Sequence, residues 1–352
     1  MRAFKLVEWG QPGQYVDVPV PEPGPGDVLI RMKAAGLCRS DLDMVDSKPG
    51  SAPYANSIDA GYVLGHENAG FVERLGRAVA DLRVGEAVVV HHMRHCGNCD
   101  YCTDGAEQHC EAYKRNAIAM TRGCGFDGGL AEFLLVPRAE VVSIGAEDPV
   151  LYAPLTDAGV TAYHAVRTAV ARLKPGTSAA LVGVGGLGTY GVQFVKLLSP
   201  ARVFAVDSAA ARLRAAREVG ADEAVLFAGD GAAAAEEILS LTRGRGVDVT
   251  VDFVGSADTL RLAAAVSRPR GRIVLVGMQG GTLEVGWGLL ATSCEFAISL
   301  GSTRQDLREV CELARAGKLR IDVQQFAFSE VQKAYDALRA GTLVGRAVVV
   351  FP

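Results

Sequence analysis

The segment Gly183-Val184-Gly185-Gly186-Leu187-Gly188 constrains this chain more than any other. It follows an apolar run, Ala179-Ala180-Leu181-Val182, and opens a helix-like stretch, Gly191 to Leu198. A G-x-G-x-x-G string by itself arises in many packing turns. Placed between a strand and a helix, it is the turn that lets backbone N–H groups approach a pyrophosphate, with the helix N-terminus adding partial positive charge. The next apolar strand, Arg202 to Val206, ends in Asp207, 19 residues after Gly188. A carboxylate there accepts hydrogen bonds from an adenosine ribose and repels a 2′-phosphate, which favours NAD over NADP. A helix cap is the ordinary alternative for Asp207. Arg212, five residues on, either touches the same ribose or is a solvated helix charge.

Strand-like runs continue at Val247 to Val254 and Arg272 to Val276, with helical patterns between them. Such alternation predicts a doubly wound parallel sheet with helices on both faces. The first 150 residues differ. Short apolar runs, such as Val28 to Ile30 and Ala87 to Val90, are separated by Gly and Pro, and PEPGPG at 21–26 marks a turn before a strand. This half reads as β-rich. After about Leu300 two helices are expected, near 305–315 and 330–339, and then a closing strand from Arg346 to Phe351. A chain of 352 residues suits two domains.

Charge narrows the function classes. With 22% charged residues and a formal net charge of −4, the chain offers no basic surface for nucleic acid or anionic membrane. No run approaches the ~18 apolar residues of a membrane span, and the N-terminal stretch lacks the apolar core of a secretory signal. A soluble cytoplasmic protein is expected, and in a reducing compartment clustered cysteines more often bind metal than form disulfides.

Cys96, Cys99, Cys102 and Cys110 form C-x2-C-x2-C-x7-C. Four thiolates this close suit tetrahedral Zn²⁺. An iron–sulfur cluster is the alternative, but the ferredoxin spacing has three residues and a following proline where this chain has seven and Glu111. Four sulfurs leave no open position, so this zinc is expected to staple a lobe of about 91–113. His91, His92, His95 and His109 surround it and read as surface or pocket-lining residues.

Two further motifs, Cys38-Arg39-Ser40-Asp41 and Gly65-His66-Glu67, are unremarkable singly. Jointly with the four-cysteine lobe, Leu155-Thr156-Asp157-Ala158-Gly159, the glycine turn and Gly345-Arg346, they make the chain resemble the zinc-dependent medium-chain alcohol dehydrogenases over essentially its whole length. The Thr-Asp-Ala-Gly element is most similar to bacterial NAD-dependent secondary-alcohol dehydrogenases and aryl aldehyde reductases.

The resemblance implies a GroES-like catalytic domain from 1–157 and 298–352, a Rossmann NAD-binding domain from 158–297, and an active site in the cleft between them. It implies two zinc ions per chain. The catalytic one would be held by Cys38, His66 and Asp157, the last a place where many relatives carry a cysteine, with one position open for substrate. Glu67 would stand behind the metal, and Asp41 would hold the His66 imidazole. Ser40 would take the alcohol proton or simply cap a helix. Asp43 stands where liver-type relatives carry a relay histidine, a departure from their pattern. Arg39 and Arg346 would pair with the pyrophosphate, while Leu187 and Thr161 would flank the nicotinamide. His92 takes a place often aromatic in relatives, and Trp287 lies near where they line the pocket or meet a neighbouring subunit.

The implied reaction is hydride transfer between NAD(H) and a medium-sized primary or secondary alcohol, or its aldehyde or ketone, in a homodimer or homotetramer. A polyol or sugar dehydrogenase is the nearest alternative. The zinc-free quinone or enoyl reductases are disfavoured by Cys38 and His66, and a non-catalytic NAD-binding relative by the complete ligand set.

Overall fold

The computed structural model describes residues 1–47, 58–115, 118–343 and 345–352. The chain divides into two compact units, Met1–Val160 with Gly301–Pro352, and Thr161–Leu300.

The first unit is built on a seven-stranded sheet. Its order is Val141–Gly145, Ala87–Val90, Glu67–Leu75, Asp27–Gly36, Arg346–Val350 and Val323–Ala327, with Phe133–Pro137 also pairing with Asp27–Gly36. Only Val323–Ala327 and Arg346–Val350 run parallel; the other pairs are antiparallel. The ten-residue strand Asp27–Gly36 is long enough to take two partners along one edge. Residues 27–31 meet Phe133–Pro137, and residues 34–36 meet Val348–Val350. The closing strand is therefore brought beside the strand that leads into Cys38. Below lies a core that includes Phe4, Ile30, Met32, Val72, Val88, Leu130 and Tyr335.

The helix Arg304–Arg315 starts where Thr303 and Asp306 close a reciprocal cap: Asp306 N donates to Thr303 Oγ1, and Thr303 N donates to the Asp306 carboxylate. The helix Val331–Ala340 stops at Gly341, whose φ of 67° suits a residue without Cβ.

The second unit is a six-stranded parallel sheet ordered Glu223–Leu226, Arg202–Asp207, Ser178–Val182, Val247–Asp252, Ser267–Leu275 and Glu295–Ile298. In sequence terms this is the order 3-2-1-4-5-6 of dinucleotide-binding folds. Strands covered on both faces read as continuous apolar runs, and Ser178–Val182 is buried at every position. Glu295–Ile298 is the exception, an edge strand with no buried residue.

Candidate metal centres and nucleotide site

Cys38 leaves the strand Asp27–Gly36 and occupies the N-cap position of the helix Arg39–Asp46. Its backbone N–H donates to Asp41 Oδ2 at 2.8 Å. The fully buried Asp41 thereby aims its other oxygen at His66, with Oδ1 3.2 Å from Nδ1. One carboxylate both caps the helix and fixes the imidazole. His66 follows Gly65, whose φ of +93° and closeness to Leu130 leave no room for a side chain. His66 Nε2 points away from Asp41, 3.2 Å from Ser40 Oγ and 3.4 Å from Asp157 Oδ2. Asp157 sits between the 3-10 turn Ala153–Thr156 and the helix Ala158–Arg167.

Glu67 opens the strand Glu67–Leu75 and is wholly buried opposite Gly36, where any Cβ would collide with its carboxylate. Its Oε1 pairs with the buried Arg346, while Oε2 has no hydrogen-bond partner. One ligand atom from each of Cys38, His66, Glu67 and Asp157 lies within 4.8 Å of the others, and all four residues are buried.

The electrostatics of this cluster call for a cation. Burial disfavours a charged His66, yet Asp41, Asp157 and Cys38 together push its imidazole well above the usual histidine value. Burial alone would raise Asp157, but the His66 hydrogen bond and the charges of His66, His92 and Arg346 hold it well below the usual carboxylate range. Burial pushes Glu67 up to about 8, against the pull of Arg346. A thiol, an imidazole and carboxylates converging in a dry site match the donor set of zinc, and a three-ligand site leaves a position for substrate.

The second cluster contains only sulfur among the described residues. Cys99 Sγ is 3.5 Å from Cys102 Sγ and 4.0 Å from Cys110 Sγ, and Cys96 Sγ is 3.9 Å from Cys102 Sγ. All eight cysteines are free thiols. Tetrahedral zinc with bonds of about 2.3 Å sets its sulfurs about 3.8 Å apart, so this cage fits the ion. Backbone N–H groups, Asn98 first among them, draw the Cys96 thiol down to about 6, which favours the thiolate. The nearby histidines serve other partners. His91 is buried against Ser302, His95 contacts the Met93 carbonyl, and His109 packs near the Tyr101 ring.

His92 is buried beside the first cluster, held by Thr156. Its Nδ1 lies 2.7 Å from the Thr156 carbonyl and its Nε2 3.8 Å from Asp157 Oδ1. Burial lowers its pKa, against the pull of Asp157.

In the second unit, Gly183 takes φ +82° at the end of its strand, and the helix begins at Gly188. A Cβ on Gly188 would strike the Gly183 carbonyl, whereas one on Gly185 would meet no protein atom within 4 Å. The turn is thus closed on its own backbone and open where a pyrophosphate would lie. Gly186 completes it, with the half-buried Leu187 at the helix N-cap. Asp207 is buried, accepts from Ala209 N at 2.9 Å and lies 3.6 Å from Arg212 Nη1. Thr161 is buried, and Arg39 is exposed in the first unit.

Two residues have surroundings that the sequence does not signal. Trp287 is 96% exposed in this chain, between Gly286 and Gly288. Arg346, expected at the pyrophosphate, is buried against Glu67 because the closing strand lies beside the strand that leads into Cys38; a guanidinium has five N–H donors, so this pair does not exhaust it. Thr156 was given no role by sequence reasoning, although its carbonyl orients His92 and its Oγ1 accepts from Asn68 N at 3.0 Å. Nothing in the spacing of these residues signals that contact.

Residues 24–146 match the model of the alcohol dehydrogenase GroES-like domain, and residues 186–316 match that of the zinc-binding dehydrogenases. An NAD-dependent alcohol dehydrogenase of Sulfurisphaera tokodaii is 34% identical over 356 residues, covering 99% of this chain and 100% of that protein. One from Saccharolobus solfataricus is 33% identical with the same coverage. The crystal structure of the alcohol dehydrogenase from Aeropyrum pernix superposes with a TM-score of 0.90 at 34% identity, covering 100% of both chains. With a GroES-like first unit and a Rossmann-type second, the chain belongs to the zinc-dependent medium-chain alcohol dehydrogenase family.

Proposed function

We propose that Cys38, His66 and Asp157 hold the catalytic zinc of an NAD-dependent alcohol dehydrogenase, working on medium-sized primary or secondary alcohols and their carbonyl counterparts. The observation that carries this reading is the convergence of four buried donor atoms within 4.8 Å. Zinc there supplies Lewis acidity that acidifies a hydroxyl or polarises a carbonyl, and NAD supplies the hydride acceptor or donor.

The chain's own groups do the rest. Asp41 locks the imidazole through Nδ1, which leaves Nε2 as the ligand atom and raises its basicity. Glu67 stands behind the cluster, held by Arg346. Ser40 Oγ, 3.2 Å from His66 Nε2, is placed to take the substrate hydroxyl proton. Asp43 lies on the exposed face of the same helix, where a proton passes to water without a histidine relay. The Gly183–Gly188 turn holds the pyrophosphate, and Asp207, with Arg212, holds the adenosine ribose. The Cys96, Cys99, Cys102 and Cys110 cage holds the structural zinc.

Elemental analysis together with turnover tests the assignment. The wild type should carry two zincs and reduce NAD with simple alcohols. His66→Ala should lose turnover and one zinc while keeping the other. A variant that retains both zincs and its activity overturns the ligand assignment.

We also infer self-association into a homodimer or homotetramer. Supporting it are the edge strand Glu295–Ile298, with Ile298 at 75% exposure, and the exposed apolar residues that precede it in sequence, Val285 at 67% and Trp287 at 96%. An open sheet edge and exposed apolar side chains invite a second copy. Ile298→Lys with Trp287→Ser should lower the mass seen in sedimentation; an unchanged mass rejects this face. A cytoplasmic location is part of the proposal, since eight free thiols suit a reducing compartment. No described helix is long and apolar enough to cross a membrane.

A further inference from the structure

Backbone strain gathers at one end of the second unit. Among the described residues, three non-glycine residues take positive φ: Arg243 at 56°, Arg270 at 63° and Ser293 at 58°. Glycine adopts that conformation without a Cβ penalty, so a side chain kept there points to a use for it. All three lie where the strands Val247–Asp252, Ser267–Leu275 and Glu295–Ile298 begin. These strands are parallel to Ser178–Val182, so this end is opposite the one that carries the Gly183–Gly188 turn.

The turns at this end are bound to one another. Arg245 Nη1 donates to the Gly176 carbonyl at 2.9 Å, and Arg172 Nη1 to the Arg270 carbonyl at 3.0 Å. Arg270 N donates to the Thr292 carbonyl at 2.9 Å. Gly246 lies so close to the Val266 carbonyl that a Cβ would strike it. Residues 268–271 bulge outward, because Val247 pairs with Ser267 whereas Val249 pairs with Arg272. Asp248 is taken by Arg245 and Arg268, and Glu295 by Arg172 and Arg272. Lys174, Arg243 and Arg270 are exposed and have no ion pair among the described residues. Seven cations thus face two carboxylates, a local excess of five. The net charge of −4, which argues against a basic surface over the whole chain, hides this excess and leaves about nine negative charges in excess elsewhere.

We propose that this rim docks a short acidic segment of a partner protein, a run of Asp and Glu. Four neighbouring strands about 4.8 Å apart give a patch about 15 Å across, which an extended chain crosses in about five residues. Lys174, Arg243 and Arg270 supply the free charges, while Asp248 and Glu295 hold the other arginines in place. Pro175 and Pro269 stiffen two of the turns, which lowers the entropy lost on binding. A long nucleic acid fits less well. It would run off the patch onto the negative remainder of the surface, within a Debye length of about 8 Å. Residues 172–177, 242–246 and 268–271 also contain no aromatic side chain on which a base could stack.

The test is binding of fluorescently labelled hexaglutamate to the full-length, zinc-loaded protein, read by anisotropy at low salt. Lys174→Ser, Arg243→Gly and Arg270→Gly combined should weaken binding about tenfold or more, the size of three exposed ion pairs together. Glycine suits both positive-φ positions, so Tm should not fall, and turnover should be unchanged. Arg261→Ser, Lys318→Ser and Lys333→Ser combined remove equal charge from exposed positions elsewhere and should leave binding within about twofold. Equal weakening by the two triple variants reduces the effect to net charge and overturns the surface, as does a wild type that does not bind hexaglutamate. A fall in sedimentation mass for the first triple variant makes this face a contact between copies and overturns the partner. Tighter binding of an oligothymidylate of similar length than of hexaglutamate overturns the choice of a protein partner.

Discussion

Replacing Cys102 with Ser should remove one zinc and leave the other, at a cost in stability that the structure allows to be worked out. From Cys96 to Cys110 no apolar residue other than Cys110 is buried. Tyr101, the largest apolar side chain there, is 45% exposed. So little buried apolar surface leaves the cage of sulfurs as the main closure of this lobe. Cross-linking a loop of about 15 residues contributes on the order of 3 kcal/mol through the restricted unfolded chain, and a metal bridge does the same work as a covalent one. For a cooperative unit of this size, about 2–4 °C of Tm accompanies each kcal/mol, so a fall of about 6–12 °C is expected. Serine nearly matches cysteine in shape, and Cys102 is only half-buried, so lost packing contributes little. Zinc per chain by elemental analysis and Tm by scanning calorimetry at one scan rate are the two readouts. The loosened lobe should also weaken the cap of the helix Arg304–Arg315, because Glu107 Oε1 accepts from Arg304 N at 2.6 Å. Retention of two zincs, or a Tm within about 2 °C of wild type, refutes the view that metal rather than packing closes the lobe.

Three other perturbations probe the remaining assignments. Asp207→Gly removes a buried carboxylate at the end of its strand, and the ratio of kcat/KM for NADP to that for NAD should rise at least about tenfold; an unchanged ratio places Asp207 away from the ribose. Asp41→Asn keeps the shape but weakens the acceptor at His66 Nδ1, so zinc affinity in chelator competition should fall about 10–100-fold at the catalytic site only. Arg346→Met strips the buried Glu67 of its partner and should destabilise by about 3–5 kcal/mol, as removal of one member of a buried ion pair does. Adding Glu67→Gln should recover part of that loss, and a double variant as unstable as Arg346→Met, measured by denaturant unfolding, rejects the pair as the cause.

What could be read from the sequence divides by the distance over which each feature is made. The sulfur cage spans fifteen positions, and the glycine turn is bounded by its own strand and helix, so local spacing carries both. The proposed ligands Cys38, His66 and Asp157 have no spacing rule, and only likeness to a family draws them together. What escaped entirely are second partners supplied by sheet order. Arg346 sits in RAVVV, which reads as an ordinary closing strand. It reaches Glu67, 279 positions earlier, only because Asp27–Gly36 takes the closing strand on one edge and Glu67–Leu75 on the other. Thr156 likewise reaches His92 and Asn68 through the turn that sets Asp157. Such groups do not bind metal, yet they decide which nitrogen of an imidazole holds its proton and whether a buried carboxylate stays charged. A site assembled from two strand ends and a turn has its ligand types written in motifs, while the partners that set their protonation are written in the topology.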